Sequence, residues 1–363
     1  MQLNASNRIE SLDILRGVTV CGMILVNNAG ACGFGYTPLK HAKWDGFTPA
    51  DLVFPMFMFI MGVSIYLSLS KHNFNPSAYL SKVLSRTVKI VLAGIVMHIA
   101  MSMIAEQTFD VLETLRIPGV LQRLGICYGI VAIMALYMKH RNFYWLIPLL
   151  LVGYSIILAA GNGYEKCADN ICAIVDNLVF TSNHIYLKGK QFLDPEGVLS
   201  TIPAVAQVMI GFICGKYIKE NKDNIDRVLP MFILGTILLI IGYLWSYSCP
   251  LNKRLWTPSF TCVTCGVSAL MLAVSMSVID EKKKWKRLRF FTVVGINPLV
   301  IFLLSEILGE AFRTLEITTW SFEHLWQPVF RDYGGSLMYA IVFMLINWGV
   351  AYLLYRKNIT IKL

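Results

Sequence analysis

Apolar runs of about twenty residues recur along this chain, and no other feature limits its fold as much. A run of this length is what an α-helix needs to cross a bilayer. Only 15% of the 363 residues are charged, against about 25% in soluble domains. The sequence predicts an all-α fold: a polytopic membrane helix bundle of about ten transmembrane helices, with residues 1–363 as one domain. The predicted spans are 12–31, 51–70, 86–105, 117–138, 143–161, 197–218, 228–247, 259–279, 290–309 and 336–355.

Lysine and arginine concentrate in alternate loops. With the N-terminus in the cytoplasm, the inside segments hold 20 of the 32 basic residues and the outside segments hold 10. Because basic residues favour the cytoplasmic side, this ratio predicts that both termini are cytoplasmic. The basic residues are scattered over inner loops, so the net charge of +10 is expected to face anionic membrane lipid rather than nucleic acid. The first run has neither a basic leader nor a small-residue cleavage site, which favours a span over a signal peptide.

The first outside loop contains one histidine, His41, shortly before the second span. Histidine titrates near neutral pH and is the usual acid, base or acyl acceptor in catalysis. Its position fits an interfacial histidine beside Trp44, within an aromatic belt, equally well. Position alone therefore leaves both interpretations open.

Several polar side chains are expected near the outer third of the bundle: Asn27, Asn28, Asp51 and Arg123. Lipid offers no hydrogen bonds, so groups at this depth need protein partners or a wet cavity. Asp51 opens the second span and also fits an N-cap role. A structural ion pair of Arg123 with Asp51 or Glu306 is as plausible as a ligand role.

Other polar positions mark helix ends or breaks. Asp194 and Glu196 lead into the sixth span, although Asp-Pro-Glu-Gly is also a normal helix start. Asp13 and Arg16 lie three residues apart on one helix face and can pair near the cytoplasmic end. Residues 295–298, Gly-Ile-Asn-Pro, predict a kink whose freed backbone groups line a cavity.

The nine cysteines show no metal-binding spacing, and we expect no metal. Cys167 and Cys172 lie in a long outside loop, where an oxidising compartment permits a disulfide. Whether they pair is open from the sequence.

At these residues the chain resembles the heparan-α-glucosaminide N-acetyltransferase family. The resemblance is spread over nearly the whole chain. It is carried by RIESLDILRG at 8–17, VNNAG at 26–30, KHAKWDGFTPADLVFPMFMFIMG at 40–62, RIPGVLQRLGICY at 116–128, NHIYLKGKQFLDPEGVLSTI at 183–202, NKRLWTPSF at 252–260 and GINPL at 295–299.

The resemblance implies a transmembrane acetyltransferase. Such a protein takes acetyl-CoA from the cytosol and acetylates the amine of a terminal glucosamine on the far side. The acceptor is then an amino sugar or glycosaminoglycan fragment, with a homodimer possible. The sequence has no counterpart of the N-terminal luminal region and preceding span of the lysosomal members. The expected location is therefore a bacterial inner membrane.

The resemblance also suggests roles for individual residues. His41 occupies the position of the family's active-site histidine, and Asn27 that of the amide beside it. Independently of the resemblance, the basic residues Arg16 and Lys89 at the inner mouth are predicted to bind the CoA phosphates, although both also fit the positive-inside bias. The other predicted substrate-binding residues are Asn28, Asp51, Arg123, His184, Asp194 and Glu196.

Two rival functions remain at the level of sequence. A small-molecule transporter would also place polar residues inside spans, but it is often built from inverted repeats, and we find none in the sequence. An O-acyltransferase acting on an envelope glycan would use the same histidine chemistry. Transfer of a labelled acetyl group to glucosamine separates these alternatives.

Overall fold

The computed structural model describes residues 9–30, 33–109, 111–186, 193–221, 223–281 and 288–361. Within these ranges the regular structure is helical, as the sequence predicts. The α-helices are α1 Glu10–Asn27, α2 Pro49–Leu69, α3 Pro76–Glu106, α4 Val120–Tyr137, α5 Phe143–Ala160, α6 Ile171–Phe180, α7 Thr201–Glu220, α8 Asn224–Trp245, α9 Pro258–Ser275, α10 Arg289–Ile296, α11 Pro298–Thr314, α12 Ile317–Ser321 and α13 Gln327–Arg356.

Among the described residues, eight helices are long and apolar enough to cross a membrane, and nine if the bent pair α10–α11 is one span. The polytopic helical fold is thus confirmed, and these helices correspond to nine of the ten predicted spans. The remaining one is α1, which covers the first predicted span. Its first turns carry Glu10, Asp13 and Arg16, so its composition is more polar than that of the other spans. Asp13 and Arg16 form the predicted pair, with Nη1 and Oδ1 2.7 Å apart.

Helices α2 and α7 form the centre of the bundle. Glycines let their backbones touch: a Cβ on Gly62 would lie 2.1 Å from the Val208 carbonyl oxygen, and one on Gly211 would lie 2.1 Å from that of Phe59. Close backbone approach through small residues is how helices associate where water provides no hydrophobic drive. Helices α3, α5 and α8 are mostly exposed and apolar, so their outer faces suit contact with lipid.

The predicted break at residues 295–298 is confirmed. The axes of α10 and α11 meet at 90°, and Pro298 is the first residue of α11. The side chain of Asn297, at this break, is bound by the C-terminal segment. Asn297 donates to the Ile359 carbonyl at 2.9 Å and accepts from the Ile361 N–H at 2.9 Å. Gly295 to Leu299 line a cavity, as expected.

We name the two ends of the bundle after the residues that lie there. The histidine end is the end at which His41 and the first turn of α2 lie. The basic end is the opposite end of α2, where Arg16 donates to Ser64 Oγ at 2.6 Å. Thirteen residues separate Asp51 from Ser64 along α2, so these ends are about 20 Å apart at 1.5 Å per residue.

Candidate active site

His41 and Asp51 form a hydrogen-bonded pair at the histidine end. The His41 Nδ1 lies 2.8 Å from Asp51 Oδ1. The Asp51 side chain is fully buried, whereas the imidazole is 41% exposed. A buried carboxylate on one ring nitrogen holds the imidazole in place and directs its other nitrogen outward. This is how a general base is oriented in catalytic triads.

Asp51 is held by the start of α2. Thr48 is the N-cap and Asp51 the third helical residue of a capping box. The Oδ2 of Asp51 accepts from the Thr48 N–H at 3.2 Å, the Thr48 hydroxyl at 2.9 Å and the Ala42 N–H at 3.2 Å. Asp51 is therefore not the N-cap that its position suggested. Its Oδ1 remains directed at His41.

Lys253 contacts both His41 and Asp51. The sequence did not predict this third member of the site. Its Nζ lies 3.2 Å from His41 Nδ1, 3.4 Å from His41 Nε2 and 3.6 Å from Asp51 Oδ1. Burial lowers the pKa of Lys253, while the carboxylates of Asp51 and Glu196 favour its charged form. The one available signal was the motif NKRLWTPSF, in which Lys253 stands.

The carboxylates of Asp194 and Glu196 form ion pairs with Arg116. They do not point into an open cavity. Arg116 donates from Nε to Asp194 Oδ2 at 2.9 Å and from Nη2 to Asp194 Oδ1 at 2.6 Å. It also donates to Glu196 and lies over the Tyr186 ring at 4.8 Å. Burial opposes charge on both partners, but the two carboxylates still raise the pKa of Arg116, and Arg116 lowers the pKa of Asp194.

The turn that carries Asp194 and Glu196 is held by hydrogen bonds to the side chain of Asp176. Asp176 accepts from the Val198 N–H at 2.8 Å and the Asp194 N–H at 3.3 Å, and burial raises the pKa of Asp176 to about 6. Helix α7 begins only at Thr201, with Ser200 as its N-cap. The interpretation of Asp194 as the cap of this helix is therefore wrong.

His184 faces the loop that contains Arg116. Its Nδ1 lies 2.8 Å from the Leu115 carbonyl oxygen, and its own carbonyl accepts from the Ile117 N–H at 2.9 Å. His184 thus fastens the two loops together beside the Arg116 cluster.

Arg123 forms neither of the ion pairs considered from sequence. It is 2% exposed and donates to Ser200 Oγ and, at 3.1 Å, to the Gly197 carbonyl. Its guanidinium lies 5.0 Å from the Trp256 ring centroid. Asp51 is instead paired with His41 and Lys253. Arg123 therefore ties the 197–200 turn to the segment that carries Lys253.

The adjacent amides Asn27 and Asn28 have different surroundings. Asn28 is 5% exposed and donates to the Ile24 carbonyl of its own helix at 3.0 Å. Asn27 is exposed and donates to Glu306 Oε1 at 2.9 Å. Helix α1 thus presents Asn27 toward α11, and buries Asn28.

A cavity of about 670 Å³ opens at the basic end. Both predicted CoA-binding residues line it, Arg16 and Lys89, together with Lys82 and Arg86. Its lining follows α2 from Leu69 to Phe57, a rise of about 18 Å. The cavity therefore runs from a cluster of cations toward the level of His41.

A second cavity, of about 210 Å³, lies at the histidine end. We call it the aromatic pocket; it is lined by Leu25, Val26, Ala29, Gly33, Phe34, Gly35, Tyr36, Leu39, Lys40, His41, Tyr333, Ser336, Leu337 and Ala340. His41 is thus accessible from a pocket of its own.

Cysteine and metal chemistry add little to this site. Cys167 and Cys172 are both free thiols. The described part of the chain contains no group of three His, Cys, Asp or Glu side chains that could hold a metal ion.

The chain is similar to known proteins of one family. The family model for "Heparan-alpha-glucosaminide N-acetyltransferase, catalytic" matches residues 8–248. The chain belongs to this family. It is 27% identical to the heparan-α-glucosaminide N-acetyltransferase of mouse (Mus musculus), over 99% of this chain and 61% of the mouse protein. It is 28% identical to the human (Homo sapiens) protein of the same name, over 98% of this chain and 60% of the human protein.

The chain therefore spans about 60% of the length of these two heparan-α-glucosaminide N-acetyltransferases. The match to the family's catalytic model includes His41, Asp51, Arg123 and Asp194. Lys253 lies beyond residue 248, where that match ends.

Proposed function

We propose that the protein transfers an acetyl group from acetyl-CoA, bound at the basic end, to the amine of a glucosamine-type sugar at the histidine end. The observation that carries this proposal is the exposed imidazole of His41 on the buried carboxylate of Asp51. It is supported by family membership and by the cation-lined cavity that runs toward the same level.

The donor would use the cavity at the basic end. Arg16, Lys82, Arg86 and Lys89 offer charges to the phosphates of CoA. The apolar length of the cavity beside α2 would take the extended arm of the cofactor. The thioester would then approach His41 from within the bundle.

The proposed reaction is acetyl transfer from the thioester of acetyl-CoA to the amine of the sugar. The amine nitrogen attacks the thioester carbonyl carbon, and the C–N bond forms as the C–S bond breaks. His41 takes the proton that the amine loses and returns it to the departing CoA thiolate. In a two-step variant, a ring nitrogen of His41 attacks the acetyl carbon and displaces the CoA thiolate. The amine nitrogen then attacks the acetyl-imidazole, the bond from the acetyl carbon to the ring breaks, and the proton that the amine loses ends on the thiolate. In both routes Asp51 stabilises the charged ring.

Asn27 stays in this proposal as the donor to the thioester carbonyl. Its amide would have to exchange Glu306 for the carbonyl oxygen. Asp194, Glu196 and His184 have a different proposed role, because each is bound to Arg116 or its loop. They would shape the site rather than contact the acceptor.

The direct test is incubation of purified protein with labelled acetyl-CoA and glucosamine. We expect labelled N-acetylglucosamine, identified by mass. Transfer to a hydroxyl with the amine left free would instead indicate an O-acyltransferase. Uptake of label into vesicles without any transfer would indicate a transporter.

The two ends of the bundle predict sidedness. In vesicles of one orientation, acetyl-CoA added only on the side of the basic end should support transfer. Acetyl-CoA added only on the His41 side should give less than about a tenth of that rate, because the cationic cavity is not reachable from there. Equal rates from the two sides would contradict a donor site at the basic end.

Lys253 predicts a loss of rate. Its Nζ lies within 3.4 Å of both His41 ring nitrogens and 3.6 Å from Asp51 Oδ1, so it contacts both members of the pair. Lys253→Met removes these contacts and should lower the rate of acetyl transfer by about tenfold, because the imidazole is then held less firmly. The measurement is the initial rate with glucosamine.

Two variants control this experiment. Lys253→Arg keeps the charge and should keep most of the wild-type rate. Lys43→Met removes an exposed lysine of the same loop as His41 and should leave the rate within about twofold of that of wild type. A Lys253→Met protein with the wild-type rate would remove Lys253 from the proposed mechanism.

A further inference from the structure

Three aromatic side chains form a continuous wall in the aromatic pocket. The Phe34 and Tyr333 ring centroids lie 5.9 Å apart, edge to face. Those of Tyr36 and Tyr333 lie 5.7 Å apart. Phe322 stacks behind Phe34 at 6.3 Å. The wall is thus supported by packing and does not consist of isolated rings.

The wall is exposed despite this support. Phe34 is 36% exposed, Tyr36 44% and Tyr333 49%. Tyr333 follows an interruption of α13 at Arg331, whose φ of 58° is left-handed. Such a backbone costs energy in a residue other than glycine and is retained where the structure needs it. Here it marks the point at which the helix brings Tyr333 onto the pocket.

The polar groups of the pocket include the candidate catalytic histidine. His41 and Lys40 line it, and no aspartate or glutamate is among its described lining residues. The Lys40 ammonium donates to the Gly33 carbonyl at 2.6 Å. An amine bound in this pocket would therefore meet the His41 imidazole with no carboxylate of the described wall to pair with.

The carboxylates expected to bind the substrate are not available to do so. The Asp194 side chain is fully buried and is bound to Arg116. The Asp51 side chain is fully buried and is shared by His41 and Lys253. The aromatic wall is another surface that reaches His41, since both line the same pocket.

We propose that Tyr36 and Tyr333 form the acceptor subsite, where the face of an amino-sugar pyranose ring lies against their side chains and its amine points to His41. This inference rests on the proposed function and adds the residues that select the acceptor. Aromatic rings present large, rigid apolar area together with a hydroxyl at one end. A pyranose ring matches this with an apolar C–H face and hydroxyl groups at its edge.

The experiment is a binding measurement that needs no turnover. Saturation-transfer NMR with glucosamine as the probe is applied to detergent-solubilised wild-type protein, Tyr36→Leu and Tyr333→Leu. Each leucine variant should weaken glucosamine binding at least about fivefold, in keeping with a lost ring contact. Tyr247→Leu is the matched control, because Tyr247 is 91% exposed and does not line the pocket. It should bind glucosamine like wild type.

Kinetics give a second readout. With glucosamine as acceptor, the leucine variants should raise KM while kcat changes less than about twofold. With 2-aminoethanol, an amine that has no ring to stack, KM should not change. Melting temperatures that match wild type exclude a general loss of fold.

The outcomes separate the subsite from the function. Unchanged glucosamine binding in both tyrosine variants would overturn the subsite even if the protein acetylates glucosamine, and would leave these rings as part of a membrane-interface belt. Conversely, weakened binding in the variants supports the subsite even if acetyl transfer is not detected. That second result would count against the proposed function alone.

Discussion

Replacement of His41 by alanine is expected to lower the rate of acetyl transfer at least about 10²-fold, the lower range for a lost general base. The fold should survive this change. Asp51 keeps Lys253 at 3.6 Å and its bonds to Thr48 and Ala42, so no buried charge is left alone. The measurements are the initial rate with glucosamine, acetyl-CoA affinity and melting temperature. Only the first should change.

His324→Ala provides the matched control for this prediction. His324 is exposed and stacks on Trp320 with ring centroids 5.4 Å apart, away from Asp51. Its replacement should leave the rate within about twofold of wild type. A His41→Ala protein that turns over at a near-normal rate would exclude His41 both as base and as acyl carrier.

The largest loss of stability is expected for Arg116→Ala. This change leaves the buried carboxylate of Asp194 without its bidentate partner. Breaking a buried ion pair costs about 3–5 kcal/mol, and we expect the lower end because Arg116 is 23% exposed. A fall of several degrees in melting temperature measures this effect.

Two comparisons make the Arg116 prediction specific. Arg313→Ala breaks an exposed pair with Glu310 at 2.7 Å and should cost less than about 1 kcal/mol. Asp194→Asn in the Arg116→Ala background removes the stranded charge and should restore part of the loss. Equal melting temperatures for Arg116→Ala and Arg313→Ala would contradict the structural role of the cluster.

The apolar runs of about twenty residues predicted most of the fold. In lipid, a segment must satisfy its own backbone hydrogen bonds, and an α-helix is one of the few structures that does so. Eight of the ten predicted spans match helices that are long and apolar enough to cross a membrane, and a ninth matches the bent pair α10–α11. Pro298 made that bend predictable, since proline cannot donate within a helix. The first predicted span corresponds to α1, which is more polar than the others because its first turns carry three charges.

The site was predictable only in part. The resemblance pointed to His41, and the structure brings it beside Asp51. Lys253 could not be placed, because its distance from His41 depends on how a loop more than 200 residues away folds back. For the same reason, Asp194 was assigned to substrate although Arg116, 78 residues earlier, takes both of its oxygens.

Asp51 performs two tasks with its two oxygens: Oδ2 caps the start of α2, and Oδ1 contacts the imidazole of His41. His41 therefore has this partner only when the first turn of α2 is formed. On the proposed mechanism, a copy of the protein in which this turn is unwound would lack an oriented base. Activity would then depend on the correct assembly of α2.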